Sequence, residues 1–158
     1  MSKGSVLVFT DVGTQLQPGA LHTLAAHFSN PAIGAVSSED RLETTDNSVR
    51  GEGAYVQYEM WLRKLESAAA GLVGLSGSCF AVRREVCEGW RTDTPSDITV
   101  ALLCARSRLK AIADDQVTGS YQDLKQESQE FARKKRTIIR GMTAVWEFRD
   151  VLSIRKTG

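Results

Sequence analysis

The segment Ser5–Thr10, SVLVFT, constrains this chain most. A continuous apolar run rich in Val and Leu reads as a strand buried on both faces, and such strands belong to parallel sheets covered by helices. Buried strands of that kind have neighbours on either side, so a chain that opens on one suggests that earlier strands are missing or supplied elsewhere. The residues after it keep the alternation of strand and helix. Pro18 can sit at the first position of a helix carrying Leu21, Leu24, Ala25 and Phe28 at helical spacing, and Asn30-Pro31 stops it. Ile33–Ser37 reads as the next strand, and the polar, glycine-containing stretch Glu39–Gly53 as a surface loop. A long helix is expected next, with Tyr55, Tyr58, Leu62 and Leu65 as its apolar stripe and Glu59 and Arg63 as an i,i+4 ion pair on its outer face. The glycines between Gly71 and Gly77 end it.

Cys79–Val82 reads as a short strand whose Arg83-Arg84 emerges into solvent or into an anionic site. Thr94-Pro95-Ser96-Asp97 opens a helix with Ile98, Ala101, Leu102 and Ala105 at helical period, closed by the positive charge of Arg106 and Arg108. Leu109–Val117 predicts one or two short strands. From about Asp123 to Ile154 the pattern is mostly helical, with Phe131, Ile138, Met142 and Val145 on one face and Arg133, Lys134, Lys135, Arg136 and Arg140 around it. One α/β domain accounts for the whole, an α/β core over residues 1–122 followed by a helical segment over 123–156.

Composition agrees with a single globular domain, at 158 residues with 42% hydrophobic and 25% charged. A formal net charge of +1 gives no bulk-charge case for a nucleic-acid partner, and the 133–140 basic cluster lacks interleaved aromatic stacking residues, so no nucleic acid is expected. Cys79, Cys87 and Cys104 are odd in number and lack C-x-x-C spacing, which argues against a disulfide framework or a zinc site and suits a reducing compartment. They read as small buried hydrophobes, and His22 and His27 as surface residues. The start MSKGSVLVFTD has no signal-peptide pattern, and no apolar run approaches the roughly 18 residues of a spanning helix. The chain is therefore expected to be soluble or at most peripheral, and cytoplasmic.

Three places could carry chemistry. Asp11 ends the apolar strand, where ligands of open α/β sheets sit, and could hold a hard divalent cation shared with a diphosphate. It could equally bond its own backbone in a turn that Gly13 permits. Asp97, in a first helical turn, could act as a general base, or could form a capping-box variant with Thr94. The arginines around Arg136 suit phosphate oxygens, and a solvated face is the plain alternative. A membrane-surface helix is a further one, since Ile138, Met142, Val145 and Trp146 lie beside the charges.

The string VLVFTDVGTQLQPGALHTLAAHFSNPAIGAVSS resembles the segment of family 2 glycosyltransferases in which a buried strand delivers a D-x-D motif, followed by a helix and a G-x-V strand. The order downstream is similar too: the helix YVQYEMWLRKLES, then Gly77–Arg84 as G-x-x-F-x-x-R-R, then Ser96-Asp97-Ile98-Thr99, then the arginine-rich FARKKRTIIRGM. The resemblance implies a partial GT-A domain, a Rossmann-like three-layer fold with a mostly parallel sheet and a long basic C-terminal helix. Under it, Asp11 helps bind Mn2+ or Mg2+ and the nucleotide sugar, Arg136 faces the diphosphate, Asp97 is the catalytic base, and Gly77, Ser78 and Cys79 lie near the acceptor. A UDP-sugar donor, a saccharide or lipid-linked acceptor, transfer with inversion in polysaccharide biosynthesis, and peripheral contact with the inner face of the cell membrane are implied as well. Gly13 stands where the motif has its second acid, and Arg133 and Thr137 where processive members have Gln and Trp. The family's base and ribose contacts precede D-x-D, outside this chain, so an inactive module docking through its basic helix is the alternative.

Overall fold

A computed structural model describes residues 3–42, 50–90, 93–121 and 127–151. Strands β1 (Val6–Thr10) and β2 (Gln15–Leu16) precede helix α1 (Ala20–His27), β3 (Ile33–Leu42) and α2 (Arg50–Ala69). Strand β4 (Cys79–Arg83), a 3-10 helix (Arg84–Gly89), α3 (Ser96–Arg106), β5 (Lys110–Tyr121) and α4 (Glu127–Glu147) complete the order. The strands form one sheet, β1-β4-β3-β5-β2.

Alternation along β4 builds the layers. Phe80 and Val82 point into a core with Ala35, Leu75, Val100, Leu103 and Phe148, under α3 and the end of α4. Cys79 and Ala81 point the other way, into a core with Val36, Val117 and the α1 residues Ala20 and Leu24. A strand whose successive side chains serve opposite faces is apolar throughout when helices cover both, which is what CFAV shows. The three-layer α/β arrangement expected from the sequence is therefore present.

Strand direction differs from the expectation of a mostly parallel sheet. β3 and β5 pair in parallel, whereas β4 is antiparallel to both β1 and β3, and β2 is antiparallel to β5. Thus β1, β3 and β5 share a direction, but only two of them are neighbours. An apolar run specifies burial on both faces and says nothing about polarity, so the reversal of β4 leaves no mark in its composition. β1 is also less buried than its sequence suggests. It lies at one end of the described sheet with Val8 44% exposed, while Phe9 stacks on Phe80 with centroids 4.9 Å apart and meets Trp90 edge-on at 5.0 Å.

The stretch read as a loop after Ser37 is strand as far as Leu42, and α2 already begins at Arg50. Its polar residues extend the sheet beyond the core, pairing Glu39 to Leu42 with Thr118 to Tyr121. Ser38 opposes Asp114 and Glu39 opposes Thr118, so β5 is one strand interrupted by an irregularity rather than two strands. The face that α2 turns to the sheet is also offset from the expected stripe. Leu62, Arg63, Glu66 and Ser67 are half-buried, whereas Tyr58, Trp61 and Leu65 are exposed. Ser67 decides this by accepting a hydrogen bond from the Ala113 amide at 3.0 Å. The side chains of Tyr55, Glu59, Phe131, Arg133 and Lys134 lie outside the described residues. No described helix is long and apolar enough to cross a membrane.

Candidate active site

The connection from α2 to β4 is the organising segment. Gly71 has φ +104°, a backbone state only glycine adopts without strain, and it turns the chain so that the Leu72 amide bonds Ala111 O at 2.8 Å. Two further main-chain bonds then fix the loop at opposite ends. The Leu75 amide donates to Asp97 O at 3.3 Å, and Ser78 O accepts from the Asp11 amide at 3.0 Å and from Thr14 Oγ1 at 3.2 Å. A single short loop thus ties the turn carrying Asp11 to the first turn of the helix carrying Asp97.

Buried hydroxyls hold this loop from beneath. Ser37 Oγ accepts from the Ser76 amide at 2.6 Å, and Ser38 Oγ donates to Cys79 O at 2.8 Å. Ser76 Oγ lies 2.8 Å from Ser78 Oγ and accepts from the Ser78 amide at 3.1 Å. Residues 37, 38, 76 and 78 are all buried, and buried polar groups persist because they are paired in this way. Pattern reading misses this network, although its signal is present as hydroxyls interrupting apolar stretches at Ser37-Ser38 and Ser76-Gly77-Ser78.

Of the residues singled out from sequence, Asp11 is exposed at the end of β1, its main-chain oxygen accepting from the Thr14 amide at 3.1 Å, so a turn does form there. Gly13 faces open space. Asp97 is half-buried in the first turn of α3, where the helix dipole favours negative charge. The residue at the N-cap position is Pro95, which makes no side-chain cap bond, and Thr94 before it is buried. Gly77 is exposed, and a Cβ there would meet nothing within 4 Å. Ser78 and Cys79 are buried beneath it, so the solvent-facing part of this segment is the Gly77 backbone.

Arg136 is exposed on α4. That helix crosses α3 beside Asp97, since a Cβ on Gly141 would come within 3.0 Å of Ile98 Cδ1. Arg140 reaches Asp93 O at 3.2 Å, and Arg136 lies one turn further along on the same face. The basic helix is therefore brought to the entrance of α3, with Asp11 and Asp97 already joined by the 75–78 loop. Among the described residues no group of three or more His, Cys, Asp or Glu side chains is clustered as a metal site.

Other basic and titratable groups have structural work. Arg83 does not open into an anionic site: its guanidinium bonds Ile33 O at 2.7 Å, Phe28 O at 2.8 Å and Asn30 O at 3.0 Å, closing the end of α1. Arg84 Nε donates to Gly4 O at 2.6 Å. Arg106 pairs with Asp150 at 2.9 Å and lies over the Phe148 ring at 4.2 Å, fastening α3 to the end of α4. His27, read as a surface residue, is only partly exposed and meets the buried Asp114 at 2.6 Å. None of the three cysteines is in a disulfide, and Cys79 and Cys104 are fully buried. Burial, then the neighbouring Cys87, pushes the Cys104 thiol up to about 12, and burial also raises Cys87. Lys64 hydrogen-bonds Asp115 at 2.9 Å, which lowers the carboxyl and raises the amine on an exposed surface.

No protein-family model and no curated protein matches the chain. Among solved structures it resembles the mannosyltransferase PcManGT from Pyrobaculum calidifontis in complex with GDP-Man and Mn2+, with a TM-score of 0.73 at 21% identity. The chain has a glycosyltransferase fold. The superposition takes in 92% of this chain and 40% of the mannosyltransferase, so the chain spans well under half of that protein's length. At this identity the likeness concerns the fold, and the chemistry rests on the residues themselves.

Proposed function

We propose that the chain is part of an inverting, nucleotide-sugar-dependent hexosyltransferase of family 2, contributing the acceptor side and part of the diphosphate site. The observation that carries this reading is the 75–78 loop, hydrogen-bonded at Leu75 to Asp97 and at Ser78 to the Asp11 turn, on the fold of a mannosyltransferase solved with GDP-Man and Mn2+. Exposed Gly77 between them leaves space for an acceptor sugar to approach on backbone rather than side chain. In the reaction, an acceptor hydroxyl oxygen attacks the anomeric carbon as the bond from that carbon to the diphosphate oxygen breaks, inverting the centre. Asp97 takes the hydroxyl proton, and the Arg136 guanidinium offsets the charge that develops on the departing diphosphate. Holding acceptor and donor in line supplies much of the rate.

A lone exposed carboxylate fits a divalent cation that is shared with substrate, because Mg2+-type sites commonly use one or two carboxylates plus phosphate oxygens. Asp11 is the residue that would hold Mn2+ or Mg2+, which when bound supplies further charge compensation at the diphosphate. The donor is read as a nucleoside-diphosphate sugar, UDP-linked by the resemblance and GDP-linked in the structural neighbour. A saccharide or lipid-linked acceptor, polysaccharide biosynthesis and work at the cytoplasmic face of a membrane complete the reading.

Calorimetric titration with UDP and with GDP, each with and without Mn2+, tests the diphosphate site. Binding that needs Mn2+ and disappears in Asp11→Ala is expected. Binding of equal strength in Asp11→Ala refutes the role of that carboxylate, and no binding of either nucleotide to the folded chain means that the donor site is incomplete without the upstream region. In a protein that also carries the upstream base- and ribose-binding region, Asp97→Asn is expected to abolish transfer and leave nucleotide affinity unchanged; surviving transfer places the base elsewhere.

A further inference from the structure

We propose that the outer surface of α2 carries a saccharide-binding platform, built from Tyr58 and Trp61 with the Lys64–Asp115 pair beside them, that takes a hexose unit of a neutral glycan. The face that α2 turns to the sheet is settled by Leu62, Arg63, Glu66 and Ser67, all half-buried. Away from it Tyr58, Trp61, Leu65, Ala68 and Ala69 are exposed, and at 100° per residue they fall in an arc of about 100°. Helical side chains lean toward the N-terminus, so Trp61 leans onto Tyr58, and the two rings lie with centroids 6.1 Å apart and planes tilted by 31°. Both stay more than half exposed, Trp61 at 55% and Tyr58 at 56%. Single exposed apolar side chains are ordinary, but two large rings held side by side in water form a surface that gains by being covered.

The groups beside the rings select the cover. Lys64 follows Trp61 by about one turn and hydrogen-bonds Asp115 of β5 at 2.9 Å, both side chains exposed. Glu39 of β3, half-buried, bears on the same amine, which Asp115 raises most and Glu39 raises further. Donors and acceptors of both signs therefore stand within a turn of an apolar platform. A pyranose ring matches that combination. Its face of axial C–H groups, slightly positive, meets the negative face of an aromatic ring, and the hydroxyls around its edge need donors and acceptors together. Other covers fit less well. Anionic lipid would meet two acids, Asp115 and Glu39, and three large apolar side chains fall short of the roughly 800 Å² per partner that a stable dimer buries. The platform stands on α2 and β5, which carry none of Asp11, Gly77, Asp97 and Arg136. It is thus a second contact for a glycan, and only the choice of a hexose rests on the transfer reading above.

Titration with cellohexaose and with mannohexaose, without nucleotide or metal, tests the platform by calorimetry and by indole emission. Trp146→Phe leaves Trp61 as the exposed indole, since Trp90 is packed against Phe9. Binding of at least one oligosaccharide is expected, with a blue shift of the Trp61 emission. Trp61→Ala is expected to weaken affinity about tenfold and Trp61→Phe to restore most of it. Asp115→Ala, which removes a charged acceptor, is expected to weaken it about fivefold. Ile139→Ala, an equally exposed apolar change on α4, leaves affinity unchanged. All of these side chains are exposed, so urea midpoints should stay at the wild-type value and separate a lost contact from a lost fold. The proposal is overturned if neither oligosaccharide binds, if Trp61→Ala binds as wild type, or if the Trp61 emission does not move. Binding that survives Trp61→Ala and is lost in Gly77→Leu overturns it in favour of the candidate site and leaves the transfer reading standing. Self-association that Trp61→Ala abolishes, with no sugar bound, overturns it in favour of a second copy.

Discussion

Replacing Ser37 by Ala tests whether the hydroxyl network beneath Gly77 holds the candidate site. Ser37 and Ser76 are both essentially inaccessible, and the Ser76 amide donates to Ser37 Oγ at 2.6 Å. Removing that oxygen leaves a buried N–H without this acceptor, which costs about 1–3 kcal/mol. Ser38→Ala removes the same atom from the next residue and serves as the internal reference. There the lost group is a donor to Cys79 O at 2.8 Å, and a carbonyl with two lone pairs tolerates the loss better, so about 0.5–1.5 kcal/mol is expected. Both variants leave a similar small void, and Ser37→Ala also loses the bond from Ser37 Oγ to Ser38 O at 3.2 Å, so the difference between them reports the orphaned donor together with that bond. Urea unfolding at unchanged m-value measures the two stabilities. Amide exchange locates the effect: protection at Ser76 and Ser78 should fall first in Ser37→Ala, followed by Asp11, whose amide donates to Ser78 O. A Ser37→Ala midpoint equal to wild type, or a Ser38→Ala midpoint below that of Ser37→Ala, refutes the reasoning.

Three further expectations concern the core beneath the site. A Cβ added at Gly34 would stand 2.8 Å from both Cys104 Sγ and Leu109 Cβ, so Gly34→Ala should destabilise by about 1–3 kcal/mol, read from the same urea transition. A thiol pushed up from 9.0 to about 12 carries about a thousandfold less thiolate near pH 8, and the thiolate is the reactive form. Iodoacetamide at that pH should therefore modify Cys87 slowly and leave Cys104 and Cys79 untouched until the protein unfolds, as mass spectrometry of tryptic peptides would show. Because the folded value of Cys104 is raised, its ionisation disfavours the folded state, and stability should fall once pH exceeds the unfolded thiol's range of about 8.5.

Much of the architecture was legible because hydrophobic period and burial are linked directly. Leu24 in α1, the Thr94-Pro95-Ser96-Asp97 start of α3 and the apolar run of β4 lie where pattern alone puts them, whereas Leu21 and Ala25 of the expected α1 stripe are exposed and Ala20 is buried instead. The features that escaped reading depend on partners distant in sequence. The direction of β4 is decided by which edges it fills, not by its composition. The face of α2 is set by Ser67 meeting Ala113, a polar contact that an apolar-stripe argument ranks last. Arg83 read as emerging into solvent or an anionic site because its carbonyl partners, around 50 residues upstream, come into reach only when α1 packs on the sheet. At the candidate site the acids and the glycine were readable as types, but the link between them runs through main-chain atoms of Leu75 and Ser78, which carry no side-chain signature.

That main-chain link also decides how cleanly the two acids can be tested. The Asp11 turn is held by the Asp11 amide and carbonyl and by Thr14 Oγ1, so Asp11→Ala removes a carboxylate and keeps every one of these bonds. Asp97 sits on a helix fixed by the buried run Thr99–Cys104, and the atom that anchors the loop is its carbonyl oxygen, which Asp97→Asn retains. Both changes remove exposed or half-buried charge without opening a cavity, so each should move stability by no more than about 0.5 kcal/mol. Urea midpoints close to wild type are the expected result. With them, a loss of Mn2+-dependent nucleotide binding in the first variant, or of transfer in the second, is attributable to the carboxylate itself. A large drop in either midpoint would instead mean that the side chain holds the loop, and the chemical roles assigned to Asp11 and Asp97 would lose their support.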